Sequence, residues 1–407
     1  MQFLCLNQEK ERILKMKPRY LTNPQFKAEL EKCLQCKTKP CEKACPVHCS
    51  PHDFIAAAKE GNPTEAAALI AKQNPLGEVC GLICPDKFCM RACLRQHLDA
   101  PIQIPPVQAE IMHRARTQNL FVPMQTAKFN GQKIAVIGSG PSGIGAVAEL
   151  IKHGFKIAVF EKEQTIGGAL NLIPQVRLPR EIVAAEWARL TQNPLIEVHL
   201  NARVQDYAAL LQQGFAAVIV ATGEQKSRTL GIEGENLAID YTEYLRRPEQ
   251  YATSGKVGIV GGGAAAVDCA VTAAEHGTDA VEMFVRRRLS DMRITAQERA
   301  TLLERQTDIT TMTRVTKVEK QGDLLTAYTC KTRFNADGRL EDVPNTEIAR
   351  DGFAQIILAL GSTRAEDLQQ ADNIFYAGDV ATGSSTAVEA IASGQQVART
   401  VTEKLKL

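Results

Sequence analysis

The hydrophobic pattern of the chain changes near its first third. Ala-rich segments at residues 53–60 and 64–73 predict two short helices separated by the turn Gly61-Asn62-Pro63, and residues 20–33 predict another helix. After Lys133, short apolar runs instead end in glycine turns and are followed by helical patterns. The pattern predicts a small helical domain followed by α/β domains with parallel sheets.

A first dinucleotide-binding motif follows the apolar strand 134–137. The turn Gly138-Ser139-Gly140-Pro141-Ser142-Gly143 opens a helix to His153, and the next strand, 156–160, ends at Glu161. In this motif the glycines allow a tight turn, backbone approach to a pyrophosphate and close helix–strand packing, while the acid accepts from ribose hydroxyls. The candidate residues at this site are Gly138, Ser139, Gly140, Pro141, Gly143, Glu161, Lys162 and Gly168.

A second motif begins with strand 257–260 and the turn Gly261-Gly262-Gly263. Its second strand, 280–285, runs into Arg286-Arg287-Arg288 where an acid would favour NAD, with Arg293 beyond. Guanidinium groups there can bind a 2′-phosphate, so NADP(H) is favoured over NAD(H). The alternative is a solvated basic loop. The candidate residues are Gly261, Gly262, Gly263, Ala264, Ala265, Arg286, Arg287, Arg293 and Gly361.

The two motifs are flanked by similar strands. Residues 215–221 end in Thr222-Gly223, and residues 355–359 end in Leu360-Gly361, which predicts one domain nested inside another. Residues 309–352 alternate in polarity and predict a β excursion. The predicted domains are a helical domain at 1–126, a discontinuous FAD-binding domain at 127–240 and 354–407, and an NADPH-binding domain at 241–353.

Another strand, residues 373–379, carries Gly378 and ends at Asp379, and a closing helix is predicted from about Ser385. Asp379 has two interpretations, as a helix cap or as a contact to the ribityl chain of a flavin.

Eight cysteines in two blocks carry the chemistry of the helical domain. The spacings are Cys-x2-Cys-x4-Cys-x3-Cys-Pro from Cys33 and Cys-x3-Cys-Pro-x4-Cys-x3-Cys from Cys80. Two blocks favour two [4Fe-4S] clusters with crossed ligation, because a fourth thiolate often comes from a distant segment. Structural zinc favours paired Cys-x2-Cys knuckles, of which only Cys33/Cys36 is present. The eight candidate metal ligands are Cys33, Cys36, Cys41, Cys45, Cys80, Cys84, Cys89 and Cys93.

Composition narrows the partners and the compartment. A net charge of +2 over 407 residues gives no electrostatic case for nucleic acid or an acidic membrane. The interrupted apolar start and the absence of a long apolar run predict a cytoplasmic protein, where twelve cysteines point to metal or redox chemistry rather than to disulfides.

Taken together, the cysteine blocks and the two nested motifs resemble the flavoprotein family of glutamate synthase small subunits and the N-terminal half or small subunit of dihydropyrimidine dehydrogenase. The resemblance extends from Cys33 to Val401. It implies FAD at the first glycine turn with Glu161, Gly378 and Asp379, and NAD(P)H at the second turn and its arginines. It also implies two [4Fe-4S] clusters.

Details within the family favour dihydropyrimidine dehydrogenase. The segment 173–179 resembles that enzyme's segment whose arginine, here Arg177, contacts FAD. Gln108 falls where that enzyme has a glutamine cluster ligand, whereas Ala264-Ala265 departs from the polar residue and threonine of relatives. The resemblance implies one cluster on Cys33, Cys36, Cys41 and Cys93, and another on Cys45, Cys84, Cys89 and either Cys80 or Gln108.

The predicted function is electron input. Hydride passes from NADPH to FAD, and single electrons pass through the clusters to a separate FMN-containing catalytic subunit, most simply of the dihydropyrimidine dehydrogenase type. The alternatives are a glutamate synthase small subunit and a free-standing NADPH:ferredoxin or other acceptor oxidoreductase. A dithiol reductase is disfavoured because only Cys269 and Cys330 lie in the flavoprotein portion. A non-catalytic redox sensor is disfavoured because both glycine motifs and both cysteine blocks are complete.

Overall fold

The computed structural model describes residues 19–121, 126–251, 254–364 and 368–405. The chain divides into two compact units. The first unit is formed by the chain up to Asn171, by Gln175–Gln225 and by Arg364–Leu407, and the second by Leu172–Pro174 and Lys226–Thr363. In the described ranges, none of the helices has the length and apolar character needed to cross a bilayer.

The first unit begins with short helices, as the sequence predicts. They are α1 (Asn23–Glu31), α2 (Pro40–Lys43), α3 (Pro51–Lys59), α4 (Pro63–Gln73), α5 (Gly77–Ile83) and α6 (Ile104–Thr117). Proline in the first turn of α1, α2, α3, α4 and α6 fixes a helical φ where no intrahelical N–H bond is needed. The predicted Ala-rich helices are confirmed within two residues, and both cysteine blocks lie in or beside the connections.

The same unit continues into a five-stranded parallel sheet in the order β15-β4-β1-β2-β3. The strands are β1 (Lys133–Ile137), β2 (Lys156–Phe160), β3 (Ile196–His199), β4 (Ala217–Val220) and β15 (Ile374–Tyr376). Its helices are α7 (Pro141–Leu150), α8 (Arg180–Thr191), α9 (Tyr207–Gln212), α13 (Asp379–Thr382) and α14 (Ala387–Lys404). Buried β-branched and aliphatic residues on β1 and β4 form the centre of the sheet, which is typical of doubly wound folds.

Glycine brings two of these helices unusually close. A Cβ added at Gly394 of α14 would lie 2.0 Å from the carbonyl oxygen of Ser142, and one at Gly145 of α7 would lie 2.4 Å from that of Ile391. Backbone therefore packs on backbone between α7, which follows the first glycine turn, and α14, which follows Asp379. This close approach fixes the two parts of the predicted flavin site against each other.

The second unit contains the second dinucleotide motif and the β excursion. Its main sheet has the path β10-β11-β13-β7-β8-β9, with β6 beside β13 and β12 beside β11, and a separate pair joins β14 to β5. The parallel part is β6 (Ile239–Asp240), β7 (Lys256–Val260), β8 (Ala280–Val285), β9 (Asp308–Thr311) and the end of β13 (Ile348–Leu358). The remaining elements are β5 (Lys226–Ser227), β10 (Thr313–Gln321), β11 (Leu324–Phe334), β12 (Leu340–Asp342), β14 (Ser362–Thr363), α10 (Tyr241–Arg246), α11 (Ala264–Glu275) and α12 (Ala296–Glu304).

The predicted fold class is confirmed: a helical N-terminal part precedes two Rossmann-type folds, one of them discontinuous in sequence. Strands β9 to β13 confirm the β excursion, and the closing helix begins at Ala387, two residues after the predicted position. The strand predicted at residues 373–379 is shorter than expected, because the chain leaves the sheet after Tyr376 and Asp379 already belongs to α13.

Candidate functional site

The first glycine turn has the backbone geometry of a nucleotide-binding loop. Gly138 has φ +103°, and a Cβ there would lie 2.6 Å from the carbonyl oxygen of Ala221. A Cβ at Gly143 would lie 2.1 Å from the carbonyl oxygen of Gly138. Helix α7 has Gly140 as its N-cap and no side chain capping it, so its first N–H groups are available to an anion. These features fit a pyrophosphate.

Glu161 is tied to this turn. It is buried, and its carboxylate accepts from the backbone N–H of Ser139 at 2.9 Å and from the Ser139 hydroxyl at 2.6 Å. Ser139 Oγ in turn accepts from the N–H of Gly167 at 3.0 Å, and the carbonyl of Ser139 accepts from the indole N–H of Trp187 at 3.1 Å. The acid therefore orders the turn itself, in addition to its predicted role toward a ribose.

The segment around Gly378 completes the same site. Gly378 has φ +74°, and a Cβ there would lie 2.7 Å from Cβ of Ser142 on the first turn of α7. The Ser142 hydroxyl is buried without a hydrogen-bond partner in the described part of the chain. An unsatisfied hydroxyl beside an uncapped helix N-terminus fits a bound polar group.

Asp379 does not cap its helix with its side chain. Helix α13 has no side-chain cap bond, and the carboxylate of Asp379 accepts from the hydroxyl of Ser385. Burial raises its pKa, opposed by the Ser385 hydrogen bond and reinforced by the charges of Glu224 and Glu389. The side chain therefore does not cap α13, and its role toward the closing helix and its contact with the flavin both stay predictions.

The other candidate residues of this site lie around the turn. Gly168, with φ +55°, has its Cβ position 2.9 Å from Cα of Gly140, so the loop after β2 packs directly on the glycine turn. Lys162 is exposed, and Arg177 is half-buried in the loop before α8. Pro141 is the first residue of α7, where its lack of an N–H costs nothing.

The second glycine turn repeats the geometry in the second unit. Gly261 has φ +153°, and a Cβ there would lie 2.3 Å from the carbonyl oxygen of Ala359. Gly263 is the N-cap of α11, which again has no side-chain cap, and nothing lies within 4 Å of its Cβ position. Ala264 and Ala265 are the first two residues of this helix. Gly361 lies in the connection between β13 and β14 with φ +79°.

The arginines lie at this turn. Arg293 forms an isolated bridge to Gly263, and its N–H donates to the carbonyl of Gly262 at 3.2 Å. The carbonyl group of Arg286 accepts from the hydroxyl of Thr332, and that of Arg287 accepts from the N–H of Met312, so the backbone after β8 is fixed. Neither arginine side chain has an ion pair in the described ranges.

Arg288, the third of the run, behaves differently. Its Nε pairs with Asp291 at 3.0 Å, and its guanidinium carbon lies 4.7 Å from the ring centre of Phe334. The basic run therefore contains one arginine with a structural partner and two without an ion pair in the described part of the chain.

Eight of the cysteines form two groups, the first defined by a shared cavity and the second by electrostatic interactions among its thiols, although the Cys89 thiol also interacts with Cys41 of the first group. The first group consists of Cys33, Cys36, Cys41 and Cys93. These four thiols also line one cavity beside α2 and α3, together with Leu34 and Leu94. The second group consists of Cys45, Cys80, Cys84 and Cys89.

The second group has two further neighbours. Cys49 is buried among Cys45, Cys80 and Cys89, and its thiol donates to Gln108 Oε1 over 3.9 Å. The Gln108 amide N–H donates to the carbonyl of Gly77 at 2.7 Å. Cys80 and Gln108 therefore both lie at this group.

The chemistry of the two groups fits iron–sulfur clusters. Burial raises the pKa of Cys41 to about 11 and that of Cys89 to about 12, and it raises those of Cys80 and Cys84 further. Buried thiols of this kind ionise only beside a strongly positive group such as iron. In the described ranges, no three His, Cys, Asp or Glu side chains converge on one point as ligands of a single ion do.

Helix α8 links the second cysteine group to the first glycine turn. The sequence did not predict this connection. The buried carboxylate of Glu186 accepts from the backbone N–H of Glu78 at 2.7 Å and of Val79 at 3.2 Å, at the start of α5. The next residue, Trp187, donates to Ser139 in the glycine turn. Burial raises the pKa of Glu186 to about 7, opposed by Arg189 and by these two N–H groups.

A second link comes from α14. Glu389 Oε1 lies 3.5 Å from Nζ of Lys87, which lies between Cys84 and Cys89 in sequence. The negative charge of Glu389 also raises the pKa of the Cys84 thiol. The same carboxylate accepts from the N–H and hydroxyl of Thr386, which begins the helix after Asp379. In sequence, Glu186 and Glu389 look like ordinary helix-surface acids, and only tertiary packing reveals their roles.

Two Rossmann-type folds with uncapped glycine turns, joined to paired cysteine groups, define an oxidoreductase that uses a flavin, a pyridine nucleotide and iron–sulfur clusters. Comparison with known families agrees: residues 132–394 match the pyridine nucleotide-disulphide oxidoreductase model, and residues 10–120 match dihydropyrimidine dehydrogenase domain II, 4Fe-4S cluster. The chain belongs to the pyridine nucleotide-disulphide oxidoreductase family. It is an NAD(P)H-dependent oxidoreductase.

Several curated proteins are similar along the chain. The NAD-dependent dihydropyrimidine dehydrogenase subunit PreT of Escherichia coli K12 is 29% identical over 92% of both chains. The glutamate synthase [NADPH] small chain of the same strain is 32% identical over 65% of this chain and 60% of its own. The predicted family resemblance is confirmed.

Solved structures support the fold. FprA from Mycobacterium tuberculosis in complex with NADPH aligns with a TM-score of 0.57 at 15% identity, covering 67% of this chain and 84% of FprA. A 2-naphthoyl-CoA reductase complex aligns with a TM-score of 0.56 at 19% identity, covering 85% of this chain and 48% of that one.

The family name raises the question of disulfide chemistry. Cys269 is a fully buried residue of α11, and Cys330 is a buried residue of β11; both are free thiols. Burial raises the pKa of each, so neither resembles a reactive thiol. Cys269 therefore belongs to the core.

Proposed function

We propose that this chain is the electron-input subunit of a two-component oxidoreductase. FAD would bind at the first glycine turn, NADPH at the second, and one [4Fe-4S] cluster at each cysteine group. When bound, FAD would accept a hydride from NADPH and release its two electrons singly through the clusters to two equivalents of a one-electron acceptor, with one proton lost to solvent. The protein binds, orients and shields these groups.

The observation that carries this proposal is the pair of links between the flavin turn and the second cysteine group. Glu186 and Trp187, adjacent on α8, contact the cluster-bearing helix α5 and the flavin turn respectively. Glu389 on α14 reaches Cys84 from the other part of the flavin site. This arrangement supports a route in which electrons enter the second cysteine group and leave through the first.

The proposed ligands follow the two groups. Cys33, Cys36, Cys41 and Cys93 would hold one cluster. Cys45, Cys84 and Cys89 would hold the other, with Cys80 or Gln108 as the fourth ligand.

NADPH is the proposed nucleotide because Arg293 contacts the second glycine turn and Arg286 and Arg287 directly follow β8, and none of the three has an ion pair among the described residues. The names of the relatives differ on this point, since PreT is called NAD-dependent and the glutamate synthase small chain is called NADPH-dependent. The arginine arrangement decides our choice, because a 2′-phosphate gains charge-assisted hydrogen bonds there and NADH has no group to use them.

The proposed partner is an FMN-containing catalytic subunit of the dihydropyrimidine dehydrogenase type. PreT is named as a subunit of such an enzyme and matches 92% of this chain, and the cysteine domain matches a dihydropyrimidine dehydrogenase model. The glutamate synthase assignment is the second candidate, supported by 32% identity over a shorter segment.

The test is anaerobic purification from the native cells, followed by identification of the co-purifying subunit and an NADPH oxidation assay. Turnover that requires uracil or thymine supports the first candidate. Turnover that requires 2-oxoglutarate and glutamine replaces it with the second, and a lone protein that reduces only artificial acceptors contradicts the subunit proposal.

A further inference from the structure

The cavity that holds the first cysteine group opens onto an apolar surface. Leu34 and Leu94 line it, each next to a cysteine of the group, and they are 44% and 41% exposed. Leu98, in the same short turn after Cys93, is 69% exposed. Among residues 19–121, these three leucines are the only large hydrophobic side chains that are more than 40% exposed.

The leucines are not explained by packing within the chain. The second cysteine group is more buried, with Cys80 and Cys89 buried and Cys45 and Cys84 partly so, whereas only Cys93 is buried in the first group. The neighbours of the second group include acids of α8 and α14. Exposed apolar side chains clustered at one redox site are typical of a protein interaction surface. Electron tunnelling weakens steeply with distance, so a partner must dock where a cluster lies near the surface.

The charges around the leucines indicate what kind of partner fits. Three basic side chains near the cavity are neutralised by ion pairs. The pairs are Lys32 with Glu29 at 2.6 Å, Lys39 with Asp53 at 2.8 Å and Arg95 with Asp99 at 2.7 Å.

Three exposed basic residues have no such partner. Lys37 follows Cys36, Lys43 lies two residues after Cys41, and Arg91 lies two residues before Cys93; none has an ion pair within the described ranges. Two carboxylates oppose these cations, because Asp86 in the adjoining loop has no ion pair in the described ranges and Glu42 shares Lys39 with Asp53. The three unpaired cations therefore exceed the acids by one charge.

We propose that these six residues form a docking surface, the exit face, for an electron acceptor protein whose own surface is acidic around a one-electron cofactor. The exit face consists of Leu34, Leu94, Leu98, Lys37, Lys43 and Arg91. The leucines supply its apolar centre and the cations steer the acidic partner. The inference rests on the proposed function, because it identifies the first cysteine group as the point where electrons leave.

The test uses the holoprotein and two soluble probes of opposite charge, an acidic [4Fe-4S] ferredoxin and basic cytochrome c. In the double variant Lys37→Glu/Arg91→Glu, the rate constant for ferredoxin reduction at low ionic strength should fall about tenfold or more, while that for cytochrome c should rise. The ferredoxin dissociation constant, measured by calorimetry without turnover, should rise in parallel. Added salt should shrink the difference between variant and parent.

Matched controls separate docking from general charge effects. Lys27→Glu/Lys72→Glu makes the same charge change at exposed, unpaired lysines of α1 and α4 and should alter neither probe's rate by more than about twofold. Leu98→Ser should weaken ferredoxin binding, whereas Leu303→Ser, at a leucine 65% exposed on α12, should not.

Iron content and the rate of flavin bleaching by NADPH should be unchanged in every exit-face variant. If flavin and clusters are reduced normally but exit-face and control variants give equal ferredoxin rates and affinities, the exit face is wrong and the proposed function stands. If NADPH reduces neither flavin nor clusters in the parent protein, the proposed function itself fails.

Discussion

At the scale of single residues, the arginines after β8 provide a direct test of the preference for NADPH, and one of them serves as the control. Changing Arg286, Arg287 or Arg293 to Ala should raise the KM for NADPH about tenfold or more, because each lost charge-assisted bond costs about 1.5 to 3 kcal/mol. The KM for NADH should change little. Steady-state kinetics with both nucleotides and an artificial acceptor measure this directly.

Arg288→Ala is the matched control, since Arg288 already pairs with Asp291 and stacks on Phe334. It should leave the NADPH to NADH preference intact even if stability falls. Equal losses with both nucleotides in all four variants would mean that the arginines are structural.

The fourth ligand of the second cluster is also decided at single residues. If Gln108 is the ligand, Gln108→Ala should change the electron paramagnetic resonance signal of one reduced cluster while Cys80→Ser leaves it unchanged; if Cys80 is the ligand, the effects reverse. Cys49→Ser serves as the control, because Cys49 contacts Gln108 and lies beside the same group. If the signal changes in neither Gln108→Ala nor Cys80→Ser, both assignments are contradicted.

Sequence patterns locate residues whose role is local, and fail where the role depends on packing. Gly138 and Gly261 follow from the turn conformations that their motifs require. The hydroxyl of Ser142 is buried without a partner in the described ranges where α14 packs against α7, and Asp379 pairs with Ser385 beyond a strand that ends early. Such facts depend on tertiary distances that no spacing rule contains.

At the scale of elements, helix α8 contacts both the first glycine turn and helix α5, which carries Cys80. Glu186→Ala leaves the buried N–H groups of Glu78 and Val79 unsatisfied and should cost about 1 to 3 kcal/mol in the stability of that region. We expect partial loss of iron from one cluster and a lower unfolding temperature, while the flavin content stays near one per chain.

Two variants on the same helix make the test specific. Glu186→Gln keeps one acceptor oxygen and should retain most of the iron. Glu181→Ala, at the exposed start of α8, should behave like the parent. Iron loss of similar extent in Glu181→Ala would show that any change in α8 loosens the cluster, and would contradict the specific role of Glu186.

Strands and helices with strong periodicity were predictable, but their limits and links were not. The parallel strands around both glycine turns follow from apolar runs before Gly138 and Gly261. The register that brings β13 beside β7, about 90 residues apart in sequence, depends on pairing that periodicity alone cannot specify.

At the scale of the whole molecule, the two cysteine groups predict a definite metal content. The anaerobically purified protein should be brown and contain one FAD, about eight irons and about eight acid-labile sulfides per chain, as two four-iron clusters require. Zinc in place of iron, or only four irons, would contradict the assignment of one cluster to each group.

The central claim is that electrons from NADPH enter at the flavin and pass to both clusters, and anaerobic titration with NADPH tests it most directly. The flavin absorbance and the electron paramagnetic resonance spectrum are followed together as NADPH is added. The account predicts that the flavin absorbance bleaches and that signals of reduced [4Fe-4S] clusters grow. Each reduced cluster should hold one of the electrons that NADPH delivered as hydride. Bleaching of the flavin without any cluster signal, in protein that contains eight irons and is reducible by dithionite, would contradict it.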